Sequence, residues 1–164
     1  MALAPMNQIL VVAAHPDDEV LGCGGTIARH ADSGDQVQVL IVAEGSTSRQ
    51  QERDRAQVRD ELSALAQAAQ TAGSILGAAG VELLDLPDNR LDSLDRLDLI
   101  KRIEECVERH QPECVYVHHA GDVNVDHRRL HEAVVTACRT MPGHVVERLL
   151  SFEMASSTEL HPPG

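Results

Sequence analysis

The sequence predicts an α/β protein, a Rossmann-like three-layer sandwich around a mostly parallel sheet of five or more strands. Two observations predict this class. Short, continuous apolar runs, typical of strands buried on both faces, recur along the chain. Segments with helical periodicity separate these runs, and strands that alternate with helices favour parallel pairing. We therefore expect a single α/β domain over residues 1–164.

The predicted strands are rich in aliphatic and β-branched residues. The first two are residues 8–14 (QILVVAA) and 37–42 (VQVLIV). Residues 81–86 (VELLDL) and 114–117 (CVYV) follow, and residues 145–150 are a candidate fifth strand. Because helices would cover both faces of such strands, the core is expected to consist mainly of Leu, Val, Ile and Ala.

Helical periodicity fills the intervals between the strands. Apolar residues recur every three or four positions over residues 58–76, 97–107 and 130–138. The segment from Asp18 to about His30 is expected to be a glycine-containing loop that enters a further helix. Its glycines do not match the G-x-G-x-x-G fingerprint, so close backbone packing is favoured over nucleotide binding.

Composition restricts the classes of partner. The formal net charge is −12, which disfavours nucleic acid and anionic membrane surfaces. Tyr116 and Phe152 are the only aromatic residues, so base stacking has little support. The four cysteines form no C-x-x-C pair, the first residues lack a basic signal-peptide region, and no apolar stretch reaches the length of a membrane span. Together these features predict a cytoplasmic protein.

Polar motifs follow each of the first four predicted strands. They read HPDDE, EGSTS, PDNR and HHAGDVNVDH in chain order. In open parallel sheets, ligands bind in the crevice outside the carboxyl ends of the strands. These four motifs are therefore expected to line one site.

His15 and Asp18 are residue types that bind catalytic metal ions, and they lie three positions apart in the turn after the first strand. Asp17, between them, would point elsewhere and remain within reach of a bound water. The HPDDE segment is also compatible with a simple helix cap. A third ligand would come from the loop after the fourth strand, which offers His118, His119, Asp122, Asp126 and His127.

Four motifs resemble those of one family. AHPDDE followed by LGCGGTIA resembles the signature of the PIG-L/LmbE family of zinc-dependent N-deacetylases. Residues 86–92 (LPDNRLD) and 121–128 (GDVNVDHR) resemble bacterial members, as do SFE at 151–153 and SST at 156–158. Because these motifs occur in the family's order from about residue 8 to 159, the chain is identified as a member.

The resemblance implies a mechanism. Zn²⁺ would be held by His15, Asp18 and His127, and Asp17 would be the general base that takes a proton from the attacking water. The substrate would be an N-acetylated small molecule, with an amino sugar or sugar conjugate favoured. The fold would be that of the family's Rossmann-like domain.

One position departs from the family pattern. Many members carry a His three residues before the metal-binding His, where this chain has Asn124. An amide can donate a hydrogen bond to an oxyanion but cannot deliver a proton at neutral pH. Asn124 is therefore expected to be catalytic through hydrogen bonding alone, and Asp17, His118 or His119 remain open as the source of the proton.

Three further residues are candidate substrate contacts: Arg90, Glu44 and His118. Arg90 has an alternative interpretation as a surface partner of neighbouring carboxylates. Family members usually continue for several dozen residues beyond the SST stretch, so the family's C-terminal part is expected to be absent from this chain. Two hypotheses therefore stay open: a working deacetylase, with a homo-oligomer as one way to close its pocket, or a catalytically impaired metal- or ligand-binding module.

Overall fold

The computed structural model describes residues 6–140, 143 and 145–155. Over these residues the chain forms one five-stranded sheet with four α-helices. The strands are β1 Gln8–Ala13, β2 Gln36–Ala43, β3 Gly80–Leu86, β4 Cys114–His118 and β5 Arg148–Phe152. The helices are α1 Asp18–Asp32, α2 Arg59–Leu76, α3 Arg96–His110 and α4 Val125–Ala137, with short 3₁₀ turns at Thr47–Arg49 and Leu91–Ser93.

The sheet has the strand order β3-β2-β1-β4-β5, and every pair is parallel. The predicted mostly parallel sheet is thus confirmed and is in fact wholly parallel. The chain first moves outward from β1 to β3 and then returns to place β4 on the other side of β1. The strand order reverses between β1 and β4, which is where such sheets open a crevice for ligands.

The sheet is the middle of three layers. Ile9 and Val11 of β1 face a core closed by α1 and α2, whereas Leu10 and Val12 face a core closed by α3 and α4. Successive side chains of a strand point to opposite faces, so both faces of β1 are fully covered. This explains the uninterrupted apolar run at the start of the chain and confirms the predicted sandwich.

The glycine-containing segment is not a loop. Helix α1 begins at Asp18 and continues through Gly22, Gly24 and Gly25. A Cβ on Gly22 would lie 2.4 Å from Cδ2 of Phe152, so the absence of a side chain lets α1 approach the end of β5. The expected loop is wrong, and the expected close packing is confirmed at Gly22.

Two other boundaries differ from the prediction. Strand β5 covers Arg148–Phe152, so it begins and ends later than predicted. Helix α4 begins at Val125, and His127 lies in its first turn rather than in the preceding loop. The family-like residues 156–158 lie outside the described part of the chain. Among the described residues, no helix is long and apolar enough to cross a bilayer.

Candidate active site

Three predicted ligands meet at the carboxyl ends of β1 and β4. One carboxylate oxygen of Asp18, Oδ2, lies 3.2 Å from Nδ1 of His15 and 3.2 Å from Nε2 of His127. Neighbouring ligand atoms around a tetrahedral zinc are about 3.3 Å apart when each bond is about 2.0–2.1 Å. The observed spacing therefore suits a small divalent cation held by the three groups that the sequence predicted.

In the triad of His15, Asp18 and His127, the second ring nitrogen of each histidine lies next to a buried carboxylate. The far ring nitrogen of His15, Nε2, lies 3.1 Å from Oδ2 of Asp126. The far nitrogen of His127, Nδ1, lies 3.0 Å from Oδ2 of Asp122. Histidine ligands of metal ions usually donate their second N–H to such a carboxylate, which fixes the tautomer and the ring orientation. The surroundings of both rings thus fit metal ligands.

The cluster favours positive charge. Burial alone would lower the pKa of His15, but hydrogen bonds to Asp126 and Asp18 outweigh it and raise the pKa to about 10. Burial raises the pKa of Asp18, yet its contacts with the surrounding imidazoles outweigh burial and lower that pKa overall. A bound cation would take the place of the proton on His15.

Asp17 is exposed at the rim of the triad and has an unusual backbone. Its φ is 138°, a conformation that residues with a side chain rarely adopt. Its N–H donates to Oε2 of the buried Glu19 at 3.0 Å, which holds the turn in place. Partial burial and repulsion by Asp18 raise the pKa of the Asp17 carboxyl, while His15 and His127 oppose this shift. A strained, anchored carboxylate at this position suits proton transfer.

Asn124 is the N-cap of α4. Its side-chain Oδ1 accepts from the backbone N–H of Asp126 at 2.8 Å and of His127 at 3.4 Å. Its Nδ2 donates to Oδ1 of Asn89 at 3.2 Å. The amide therefore orients the turn that carries His127, and it has a second N–H in addition to the one directed at Asn89.

The loop after β3 is tied to the triad through Asp126. The Oδ2 of Asp126 accepts from the N–H of Asn89 at 2.7 Å, and its Oδ1 accepts from the N–H of Leu91 at 2.9 Å. Asp88 lies 3.3 Å from Nε2 of His15 and accepts from the N–H of Ser48. The sequence analysis made Asp126 a ligand candidate and placed Asp88 in a motif expected to line the site, without assigning either residue to His15. Their pairing with His15 depends on contacts between distant segments, which residue spacing did not reveal.

His118 is completely buried behind His127. The two rings stack with centroids 3.8 Å apart, and Nε2 of His118 accepts from the N–H of Ala14 at 3.0 Å. The buried ring is therefore not positioned for the predicted direct contact with substrate or for donating a proton to it. The ring instead supports the plane of His127 from below.

Glu44 and Arg90 both hold the segment after β2. The Glu44 carboxylate is buried, accepts from Thr47 at 2.6 Å and pairs with Arg53 and Arg55 at 2.8 Å. The Arg90 guanidinium donates to the carbonyl oxygen of Gln50 at 2.7 Å. Among the described residues, Arg90 forms no ion pair with Asp88 or Asp92, the partners expected if it were a surface residue. The predicted substrate contacts of Glu44 and Arg90 stay predictions.

Two clefts share Pro16, the residue after His15, in their walls. One, of about 460 Å³, has mixed walls in which Glu44, Arg55 and Asp85 lie among apolar side chains. The other, of about 370 Å³, lies between α1 and α2 and has mainly apolar walls. Pro16 packs against Gly45, which has a φ of +80°. A Cβ at Gly45 would lie 2.7 Å from Cδ of Pro16, so there is no room for a side chain.

Comparison with known proteins agrees with this geometry. The chain is 30% identical over 154 residues to the uncharacterized deacetylase YaiS of Escherichia coli, covering 91% of this chain and 75% of that protein. It is 26% identical to a probable N-acetyl-α-D-glucosaminyl L-malate deacetylase 2 of Bacillus anthracis, covering 96% and 71%.

A solved structure extends the comparison. The 4-carboxy-2-hydroxymuconate hydratase of Pseudomonas putida superimposes with a TM-score of 0.68 at 31% identity, covering 86% of this chain and 60% of that one. This chain thus spans less than two thirds of the hydratase. Residues 10–138 match the family model PIG-L, described as GlcNAc-PI de-N-acetylase. The chain therefore belongs to the PIG-L family of deacetylases, as the four sequence motifs implied.

Proposed function

We propose that the chain is a zinc-dependent N-deacetylase that acts on an N-acetylated amino sugar or sugar conjugate. The observation that carries this proposal is the triad of His15, Asp18 and His127, with a buried carboxylate behind each histidine. The relative from Bacillus anthracis, whose name specifies an N-acetylglucosaminyl substrate, supports the substrate class.

The triad would hold zinc through Nδ1 of His15, Oδ2 of Asp18 and Nε2 of His127. Zinc bound by three protein ligands acidifies water toward a pKa of about 7 and polarises a carbonyl. A calcium or magnesium ion would be a poorer fit, since those ions prefer sites made wholly of oxygen ligands.

Asp17 would take the proton from the attacking water. Its carboxylate is exposed at the rim, next to the ligands on either side, and Glu19 anchors its backbone. Partial burial raises the pKa of the Asp17 carboxyl, which favours uptake of a proton by this group. The protonated Asp17 would then return that proton to the leaving amine, because His118 is buried and Asn124 cannot donate one, and the exposed His119 is the alternative donor.

Asn124 would donate its second N–H to the developing oxyanion. The carbonyl oxygen of this side chain is committed to capping α4, which fixes the direction of the NH₂ group. A preorganised donor of this kind typically contributes about 10²–10³-fold in rate. Asn124 would thus act as an electrostatic partner rather than as an acid.

The test is metal content and amine release for Asp17→Asn. Protein purified without chelator should hold about one zinc per chain under the open-site rule. The wild-type protein should release amine from N-acetylglucosamine conjugates, and Asp17→Asn should retain the metal and lose the hydrolysis. Equal activity of Asp17→Asn and wild type would contradict the assignment of the base.

A hydratase is a second candidate, favoured by the 31% identity with the Pseudomonas putida enzyme. Water activated at the same triad would then add to a carbon–carbon double bond. 4-Carboxy-2-hydroxymuconate, an enol tricarboxylate, and a panel of N-acetylated sugars separate the two functions, because only hydrolysis of the amide releases amine. Bound zinc without turnover of either class would instead favour the catalytically impaired module.

A further inference from the structure

The groove between α1 and α2 is an apolar depression that begins beside Asp17. Its rim consists of Pro16, Asp17 and Glu19, and its floor and walls extend away from the triad. The walls are formed by Val20 and Leu21 of α1 and by Leu65, Ala68, Ala69 and Ala72 of α2. The groove is thus continuous with the turn that carries the proposed base.

Two large apolar side chains are left in solvent at this position. Leu21 is 69% exposed and Val20 is 38% exposed, although both follow the first turn of α1 beside the triad. Contiguous exposed apolar surface next to a polar site often marks a ligand-binding surface. A volume of about 370 Å³ lies within the range of pockets that hold small ligands.

The two clefts differ in chemistry, which assigns the two halves of an amide substrate. The cleft on the other side of Pro16 has the Arg55–Asp85 ion pair, at 2.8 Å, among apolar side chains, and these charged groups suit a hydroxylated amine portion. The groove offers no comparable partners beyond Asp17 and Glu19 at its rim. A hydrocarbon chain attached to the amide carbonyl would gain from burial there, whereas a sugar would lose hydrogen bonds to water.

We propose that this groove is an acyl-chain subsite, so that amides of longer fatty acids are better substrates than the N-acetyl compounds. The inference rests on the proposed amide hydrolysis and changes the preferred acyl group from acetyl to a longer chain. An acetyl group would leave most of the groove empty, because its single methyl group ends next to the carbonyl. A longer chain would cover the α1–α2 surface that is now exposed.

The test is a homologous series of N-acetyl-, N-butyryl-, N-hexanoyl- and N-octanoylglucosamine, assayed by amine release with the zinc-loaded full chain. Each methylene buried is worth about 0.8 kcal/mol, a factor of about four, so kcat/KM should rise steeply until the groove is filled. Binding of the same series to Asp17→Asn should tighten in parallel. A flat or falling series with measurable N-acetyl hydrolysis would overturn the acyl subsite and leave the proposed function standing.

Ala68→Trp is the variant that fills the groove, and Ala64→Trp is its matched control. Both positions are exposed on α2, and Ala64 lines neither of the two clefts. Ala68→Trp should reduce the ratio of octanoyl to acetyl kcat/KM by about tenfold or more, whereas Ala64→Trp should leave that ratio unchanged.

Two results would reject the inference in different ways. If Ala68→Trp leaves the ratio unchanged and alters the sedimentation mass, the groove is a contact between copies of the chain. If no member of the series, including N-acetylglucosamine, releases amine, the proposed function fails and the acyl subsite fails with it.

Discussion

Oδ2 of Asp122 lies 3.0 Å from Nδ1 of His127, on the side of the ring that faces away from Asp18. This carboxylate is buried and also accepts from the N–H of Asn124 at 2.8 Å. It therefore controls both the tautomer of His127, a proposed metal ligand, and the start of the helix that carries this residue.

Asp122→Asn is expected to weaken zinc binding by about 10–100-fold, because the neutral amide holds the His127 N–H less strongly than a carboxylate does. Competition with a chromophoric chelator at fixed pH measures this affinity. Asp98→Asn, on the exposed surface of α3, removes the same charge far from the triad and serves as the control. Equal affinities of the two variants would contradict the role given to Asp122.

Asn124→Asp separates capping from catalysis. Asp and Asn cap helices about equally well, so the free energy of unfolding should change little. The carboxylate has no N–H to donate to an oxyanion, so kcat should fall by about 10²–10³-fold. Denaturant unfolding and steady-state kinetics on the same preparations give both quantities. A large loss of stability with unchanged kcat would assign Asn124 a purely structural role.

Asp17→Gly is expected to be more stable than wild type by about 1 kcal/mol and inactive. Glycine adopts a φ of 138° without the strain that a side chain imposes there. Asp17→Asn removes the same charge and keeps the strained backbone, so the comparison isolates the strain. Chemical denaturation of metal-free protein provides the measurement, and Asp17→Gly should be the more stable of the two variants.

Gly22 and Gly25 form a matched pair within α1. Gly22→Ala should cost about 1–3 kcal/mol, because the new Cβ would lie 2.4 Å from the Phe152 ring. Gly25→Ala meets no atom within 4 Å and should gain about 1 kcal/mol from helix propensity. Thermal unfolding of both variants measures the difference. Equal effects of the two substitutions would argue against the α1–β5 contact.

The ion pairs of Glu44 predict that the free energy of unfolding depends on pH. Burial raises the pKa of this carboxyl, but hydrogen bonds from Arg53 and Thr47 outweigh it and lower the pKa below the usual value of 4.5. The folded-state pKa is therefore depressed, so the stabilisation is fully present above about pH 4.5 and is lost as the pH falls through the lowered value.

Glu44→Gln tests this dependence directly. At about pH 7 the variant should be less stable by about 1–3 kcal/mol, because Thr47 and the two arginines lose a buried, charged acceptor. The difference from wild type should shrink as the pH falls below about 4.5. Denaturant titrations at several pH values give the two curves. A constant difference across the range would rule out the predicted linkage.

The sequence allowed the sheet and the helices to be predicted, because they depend on local periodicity. The motif after β1 placed His15 and Asp18 together, whereas His127 was singled out among five candidates only by the family resemblance. The glycines of α1 led to the wrong prediction of a loop. At Gly22 the absence of a side chain makes room for Phe152, about 130 residues away in the chain, and local sequence does not reveal that contact. His118 was misplaced for a similar reason. The sequence made it a candidate substrate contact, whereas the ring is completely buried, accepts from the N–H of Ala14 and stacks on His127.

The hydrogen bond from Ala14 to His118 has a consequence for how this chain can change over evolution. Val12 pairs with Val117 in the β1–β4 ladder. The hydrogen bond from Ala14 to the His118 side chain adds one further link between these two strands, next to the triad. A single inserted residue in β4 would turn His118 to the opposite face of the sheet, and one in β1 would shift Ala14 and His15 out of register with it. Length variation should therefore be tolerated in the segment between β2 and α2 and be excluded from β1 and β4.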